Sequence, residues 1–402
     1  QRGAAVRALL LIAGAALVLS ACSSANLKPP RELEPLAEPQ VRIDTLWSSQ
    51  AGRGVGDQFL HLPVRHHAQT GYAADYQGYV KAFELATGKL KWERHTDLEL
   101  ATGAVYDNGR LYFGTRQGEV VALSADDGEI LWRAELSSEV IARPAVADGT
   151  LVARTNDGKL FALEAASGER RWVYDRSVPA LTLRGNSAPV IVNDLVIAGS
   201  DNGRLSALVL SNGSVFWETA ISYPSGKTEL ERMIDIDAEP VVVGDVVYAV
   251  TYQGRLAAVD ISSGRIVWAR DMSSYTGMAV DDYRVYLSDS EGQVLALNRR
   301  NGATLWRQDK LLRRSVTRPQ LDGPYLVVAD YDGYLHWLLR ESGELAGRAR
   351  INAGFYLLTD EYDEYDPAFR KENNVLTRPL VVGERVIAVD RQGSLAAFGR
   401  TE

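Results

Sequence analysis

Short runs in which apolar and polar residues alternate, separated by turn residues, fill most of the chain. Residues 186–219 carry the pattern in full: "SAPVIV" reaches an Asn-Asp turn and returns as "DLVIAG", "SDNG" turns into "RLSALVL", and "SNG" turns again into "SVFWET". Alternation, β-branched content and turns built on Gly, Asn and Asp predict four short strands. The unit recurs with a period of about 40 residues, the signature of a repeat architecture. Eight glycines set its phase: Gly78, Gly118, Gly158, Gly203, Gly254, Gly292, Gly333 and Gly393.

A second glycine follows ten residues later in seven copies, at Gly88, Gly128, Gly168, Gly213, Gly264, Gly302 and Gly343. Trp92, Trp132, Trp172, Trp217, Trp268 and Trp306 lie four residues further on. Between them runs a frame such as "AFELATGKLKW", Ala82 to Trp92. The Ala leaves room for neighbouring units to approach. The glycine accommodates a positive φ in a tight turn. The Trp is a large plate that holds the outer strand against the next unit. The seventh copy departs, with Trp337 in place of the Ala and Gly347 in place of the Trp.

Four-stranded units repeated around an axis make a β-propeller, which closes into a ring and so limits open strand edges. The last copy starts at Gly393 and has neither a second glycine nor an outer strand before Glu402. "VRIDTLWSS", Val41 to Ser49, has a strand pattern, ends in a Trp-containing segment (Trp47) and belongs to no unit. The expected fold is therefore an all-β, eight-bladed β-propeller over residues 41–402. Each blade has four antiparallel strands, and the N-terminal strand closes the last blade.

The segment before the propeller reads differently. Arg2 and Arg7 precede an uncharged, mostly apolar run from Ala8 to Leu19, too short to cross a bilayer comfortably but suited to a signal-peptide core. "LSAC", Leu19 to Cys22, is similar to a bacterial lipobox, so residues 1–21 are expected to be a lipoprotein signal peptide and Cys22 the lipidated residue. Stable anchoring needs more than one acyl chain, at about 0.8 kcal/mol per buried methylene. No acidic retention signal follows, since Ser23 stands after the cysteine. By resemblance to enterobacterial lipoproteins, in which an Asp there signals inner-membrane retention, this favours the outer membrane. Residues 22–40 contain Pro29, Pro30, Pro35 and Pro39 and read as a Pro-rich tether.

Composition adds three exclusions. The 402 residues carry a formal charge of −8, and removal of Arg2 and Arg7 with the leader makes the remainder more acidic, which argues against nucleic acid as a partner. The single cysteine permits no intramolecular disulfide. The histidines and acidic runs form no catalytic or metal pattern. His66 and His67 would point to opposite faces of a strand. "DEYDEYD", Asp360 to Asp366, lacks the glycine and spacing of a calcium loop. No catalytic residue, metal site or cofactor is therefore assigned.

The repeat shows where function is to be sought. From first glycine to outer Trp the distance is fixed at 14 residues, as from Gly78 to Trp92. The next glycine follows after 26 residues from Trp92 and Trp132, 31 from Trp172, 37 from Trp217, 24 from Trp268, 27 from Trp306 and 46 from Gly347. Extra residues thus fall in the connections between blades, which share one face with the second-to-third-strand turns. Insertions on one face of a repeat protein often mark its binding face.

Two long connections are adjacent. In "SVPALTLRGNSAP" (Ser177–Pro189), Leu181, Leu183 and Arg184 make either a small anchor patch or an extension of the next strand. In "SYPSGKTELERMIDIDAEP" (Ser222–Pro240), Asp235 and Asp237 alternate with Ile234 and Ile236. Both carboxylates would then face one side, as a site or as solvated capping groups. The 351–378 insertion, with Tyr356, Tyr362 and Tyr365 among acids, reads as a surface loop or a second contact surface.

The repeated frame resembles the tryptophan-docking motif of quinoprotein dehydrogenases. Those enzymes are longer and use a disulfide between adjacent cysteines, which this chain lacks. A lipobox, a Pro-rich tether and eight such blades without enzyme residues together resemble the BamB family, lipoproteins of the β-barrel assembly machinery in the Gram-negative outer membrane. "LTLRGNSAP" and "IDIDAEP" are similar to two stretches of that family.

The resemblance implies a non-enzymatic scaffold, lipid-anchored on the periplasmic face of the outer membrane. It implies partners in BamA, through its POTRA domains, and in the other assembly lipoproteins, with contact to unfolded outer-membrane proteins a further expectation. Leu181, Leu183, Arg184, Asp235 and Asp237 are the implied BamA-binding residues. The alternatives are a periplasmic quinoprotein-like dehydrogenase and a propeller that binds cell wall or sugar.

Overall fold

The computed structural model describes residues 29–36, 38–56, 58, 60–175, 187–224, 227–228, 233–351, 375 and 377–401. Among the described residues every regular element is a strand, and the strands form eight four-stranded antiparallel sheets, the blades of a β-propeller. Blade one is Arg65–His67, Thr70–Ala74, Tyr79–Glu84 and Leu90–His95, paired in chain order, and blades two to seven repeat this meander. Blade eight takes Leu380–Val382, Arg385–Val389 and Ser394–Thr401 from the end of the chain and Arg42–Gln50 from its beginning. The two ends pair from Arg42↔Thr401 to Gln50↔Ser394, so the closure expected from the orphan strand is present.

The docking frame works by two contacts. Each outer Trp donates its indole Nε1–H to a backbone carbonyl of the next blade, at 3.1 Å from Trp92 to Ala125 and 2.6 Å from Trp217 to Ile261. Trp47 does the same across the closure, to Leu85 at 3.1 Å. The indole also lies flat on the second glycine of that next blade. A Cβ on Gly128 would sit 2.7 Å from the Trp92 ring, and one on Gly213 2.6 Å from Trp172. That glycine is therefore required twice, by a φ near +70° and by the ring above it. In blades one to six the register shifts beside the Ala that faces the Trp, as between Ala82 and Phe83. Such a bulge re-aims the side chain out of the sheet.

Blade seven keeps the volume and changes its source. Trp337 and Gly347 are direct cross-strand partners. Trp337 is fully buried, donates to Asp322 Oδ2 at 2.8 Å and meets Phe398 of blade eight edge-on. The space above Gly347 is taken by Val41, whose side chain would lie 2.8 Å from an added Cβ. Val41, Trp337, Ile351 and Phe398 share one apolar cluster, so the entering chain segment and the displaced Trp together seal blade seven to blade eight.

The Pro-rich segment is shorter as a tether than its composition suggested. Residues 29–40 run down the outside of blades six and seven, in the described part, as a strap. The Arg31 N–H donates to Leu312 O at 3.0 Å, Arg313 Nε to Pro29 O at 2.7 Å, Arg348 Nη1 to Glu34 O at 3.0 Å and the Gln40 N–H to Ala346 O at 2.8 Å. Leu33 packs on the blade six–seven core. The carbonyls of Pro29, Arg31 and Glu34 are held by Arg313, Arg314 and Arg348 of the propeller. Cys22 and residues 1–21 lie outside the described residues.

Candidate functional site

In each blade the first strand runs away from the face where the chain enters, and the second returns to it. The connections between blades, the second-to-third turns and the starts of the inner strands therefore lie on one face. The two long connections entering blades four and five meet there. Leu181, Leu183 and Arg184 lie outside the described residues. Ser187, close behind them, is buried and donates its hydroxyl to Ala238 O at 3.1 Å. That bond ties the end of the first connection to the end of the second.

The acidic connection is wedged rather than draped. Ile234 and Ile236 are 2% and 0% exposed. A Cβ on Gly199 would lie 2.4 Å from Ile236, and one on Gly203 2.7 Å from Ile234, so these glycines of blade four make the slot. The Ile236 N–H donates to Ser200 O at 3.2 Å, and the Tyr252 N–H to Asp235 O at 2.9 Å, which stitches the segment to the turns of blades four and five. Strict alternation of buried Ile with solvated Asp is not what results, because Asp235 is itself 1% exposed. The segment is not a sheet strand whose other face meets water. It fills the gap between two blades and is covered on both sides.

The carboxylates meet a charge from blade three. Arg154, at the end of Thr150–Arg154, forms an ion pair with Asp201 of the blade four turn, and both side chains are about 5% exposed. Arg154 Nη1 and Asp237 Oδ1 are buried without a hydrogen-bond partner. Burial pushes the Asp237 carboxyl up to about 8, the Asp235 charge adds to this, Arg154 opposes it and Asp201 again raises it. Asp237 thus feels two neighbouring acids and one arginine, and it holds its proton at neutral pH. Asp235 and Asp237, predicted as a pair from spacing, are brought together with two residues that the spacing did not suggest.

A signal for Arg154 exists in the repeat. The last residue of the second strand is Ala74, Gly114, Arg154, Gly199, Val250, Ser288, Ala329 and Val389 in the eight blades, so the arginine is the one charged residue at its position. Around the site the face presents Tyr223 and Tyr275, 73% and 45% exposed. Aromatic residues exposed beside an over-long connection are typical interface material. The histidines form no joint site. His67 stacks on Tyr106 of blade two, while His336 is buried and bonded to Asp330 at 3.0 Å. Among the described residues no group of three His, Cys, Asp or Glu is placed to hold a metal ion.

Comparison with known proteins bears on the family and the fold. The family described as outer membrane protein assembly factor BamB matches residues 76–308 and 290–402. The outer membrane protein assembly factor BamB of Alkalilimnicola ehrlichii is 51% identical over 346 residues, covering 86% of this chain and 89% of that protein. The crystal structure of BamB from Moraxella catarrhalis superposes with a TM-score of 0.77 at 26% identity, over 89% of this chain and 99% of that one. A quinohemoprotein alcohol dehydrogenase from Comamonas testosteroni shares the fold, with a TM-score of 0.68 at 13% identity over 89% of this chain and 76% of its own.

Proposed function

The chain belongs to the family of outer membrane protein assembly factor BamB, and on that premise we propose that it is a non-enzymatic scaffold of the outer-membrane β-barrel assembly machinery. It is held at the periplasmic face of the outer membrane by lipids on Cys22. It grips the POTRA domains of BamA through the connection face, with Leu181, Leu183 and Arg184 on one connection and Asp235 and Asp237 on the next. The other assembly lipoproteins are its companions there, and unfolded outer-membrane proteins pass beside it.

The observation that carries this reading is the buried slot between blades four and five. A flexible loop would supply a contact patch only after being ordered, at an entropic cost. Here Ile234, Ile236 and the Ser187–Ala238 bond hold the base of both connections in place before any partner arrives. Asp235 is buried, so its contribution is to position the segment, whereas Asp237 lies nearer the surface. An enzymatic reading through a quinone would need a vicinal disulfide, and the sequence has one cysteine.

The test is co-purification with BamA from membranes. Leu183→Ala with Arg184→Ala is expected to abolish capture of BamA while the thermal unfolding of the propeller stays unchanged, since hot-spot side chains each contribute on the order of 2 kcal/mol. Normal capture by the folded double variant would refute the interface. A quinone spectrum and dye reduction after addition of cofactor and calcium would favour the enzyme, and retention on cell wall without BamA would favour sugar binding.

A further inference from the structure

Four of the eight blades send a charged side chain to the propeller axis from one register position, and blade one adds Arg65 from the first residue of its inner strand. Glu239 of blade five accepts from Arg143 of blade three at 2.7 Å and from Arg318 of blade seven at 3.2 Å, and Arg378 of blade eight lies 3.5 Å away. Blades three, five, seven and eight can converge on one carboxylate only at the axis. Arg65 of blade one stands close enough to feel Arg143, Arg378, Glu239 and Arg318. It has no ion-pair partner among the described residues, and its Nε is buried without a hydrogen bond.

The arrangement follows the blade register. Arg143, Glu239, Arg318 and Arg378 each stand two residues before the inner-strand residue that opens its pairing with the second strand, at Ala145, Val241, Gln320 and Leu380. In blades two, four and six the same position holds Gly103, Ala188 and Thr276. From blade two to blade seven small residues thus alternate with charged ones, which leaves room between the guanidinium groups, and Arg378 of blade eight follows Arg318 directly. Those groups are not sealed: the side chains of Arg143, Arg318 and Arg378 are 22%, 15% and 19% exposed. Arg318 is further fixed by donating Nε to Met278 O at 2.6 Å.

Among the described residues four guanidinium groups face one carboxylate, a formal surplus of three positive charges on the axis. The surplus is visible in the acid–base balance. Burial alone would raise Glu239, yet Arg143, Arg378 and Arg318 hold it down at about 2. Burial and then Arg378 lower Arg318 to about 10 although Glu239 bonds it. Like charges collected at one place in a low dielectric are costly unless an anion joins them. Arginine forks match tetrahedral and planar oxyanions with paired N–H donors.

We propose that the axial mouth on the connection face is a binding site for one compact oxyanion of two or more negative charges, of the phosphate class, held by Arg65, Arg143, Arg318 and Arg378. Glu239 orients the arginines and limits the affinity by its own charge. The site stands independently of the BamA reading, since none of its residues belongs to the proposed contact set.

The experiment is calorimetric titration of the full mature chain with sodium phosphate, against sodium chloride at matched ionic strength. One saturable site per chain is expected. Arg65→Gln and Arg318→Gln should each weaken it about tenfold or more, and Glu239→Gln should tighten it about tenfold, as the removal or addition of one net charge at close range requires. Arg65→Gln breaks no ion pair, so it keeps the test valid should Arg318→Gln fail to fold. Glycerol phosphate separates two sources of the ligand: binding by both probes means a phosphoryl group on a larger molecule is accepted, and binding of phosphate alone means a free ion, either of which supports the site. Absence of saturable heat with phosphate, or a folded Glu239→Gln variant with unchanged or weaker binding, overturns it.

Discussion

Replacing Asp237 by Asn should make the protein more stable at neutral pH, and by an amount that grows with pH. In the folded chain the Asp237 carboxyl is pushed up to about 8 by burial and by the neighbouring Asp235 charge, from an ordinary value of 3.8. In the unfolded chain it ionises near its ordinary value. Below pH 4 both states hold the proton, so the wild-type residue carries no penalty. Between pH 4 and 8 the unfolded state sheds the proton and the folded state keeps it, and stability falls by about 1.4 kcal/mol per pH unit. Above pH 8 the loss levels off at on the order of 5 kcal/mol. Asn mimics the protonated carboxyl in shape and never ionises.

Urea unfolding of both proteins at pH 4, 6 and 8, followed by tryptophan fluorescence, measures the difference directly. The expected result is near-equality at pH 4, an advantage for Asp237→Asn of about 3 kcal/mol at pH 6 and a larger one at pH 8. A difference that does not change with pH, or a variant less stable at pH 8, would refute the argument. It would mean that Asp237 is ionised in the slot and compensated there by Arg154. Persistence of a strained acid is itself consistent with a contact role, because functional sites are where such costs are retained.

Two further outcomes test the fold. Trp217→Ala removes an 8%-exposed indole bonded to Ile261 and should cost about 3–5 kcal/mol in urea unfolding, while Gly264→Ala, which drives a Cβ into the same ring from the other side, should also destabilise. Leu33→Asp should release the strap: limited proteolysis is expected to cleave before Gln40 faster than in the wild type, with the unfolding midpoint of the propeller little changed, and equal cleavage rates would show that the backbone bonds of Arg31 and Glu34 suffice.

Much of the architecture is local and for that reason was readable from the chain. A period of about 40 residues, turns that need glycine and an alternation of apolar residues are properties of neighbours in sequence, and they specify a blade wherever they occur. Closure was legible because a complete repeat makes an incomplete one conspicuous: the orphan strand containing Trp47 and the missing strand after Gly393 imply each other. The tryptophan frame was also recognisable as packing. That its second glycine is the seat of the preceding blade's indole was not, because the two residues lie about one repeat apart and only the ring brings them into contact.

The functional face divides in the same way. The length of its connections could be measured along the sequence, and Asp235 with Asp237 stood out by spacing. Arg154 and Asp201 join them only because blades three, four and five are adjacent at one edge, and the apparent strand of alternating Ile and Asp became a buried wedge because two blades enclose it. The Pro-rich segment reads as free tether until the arginines of blades six and seven are placed beside its carbonyls. Least legible of all was the axis. Arg65, Arg143, Glu239, Arg318 and Arg378 are scattered over more than three hundred residues, each an ordinary charge before an ordinary strand. Rotation of successive blades about a common centre turns those separations into a few ångströms. The sequence by itself therefore determined the blade, the number of blades and the way the ring closes. Which distant charges share a dielectric cavity, and so which of them are strained, paired or open to a ligand, was decided by the closed ring alone.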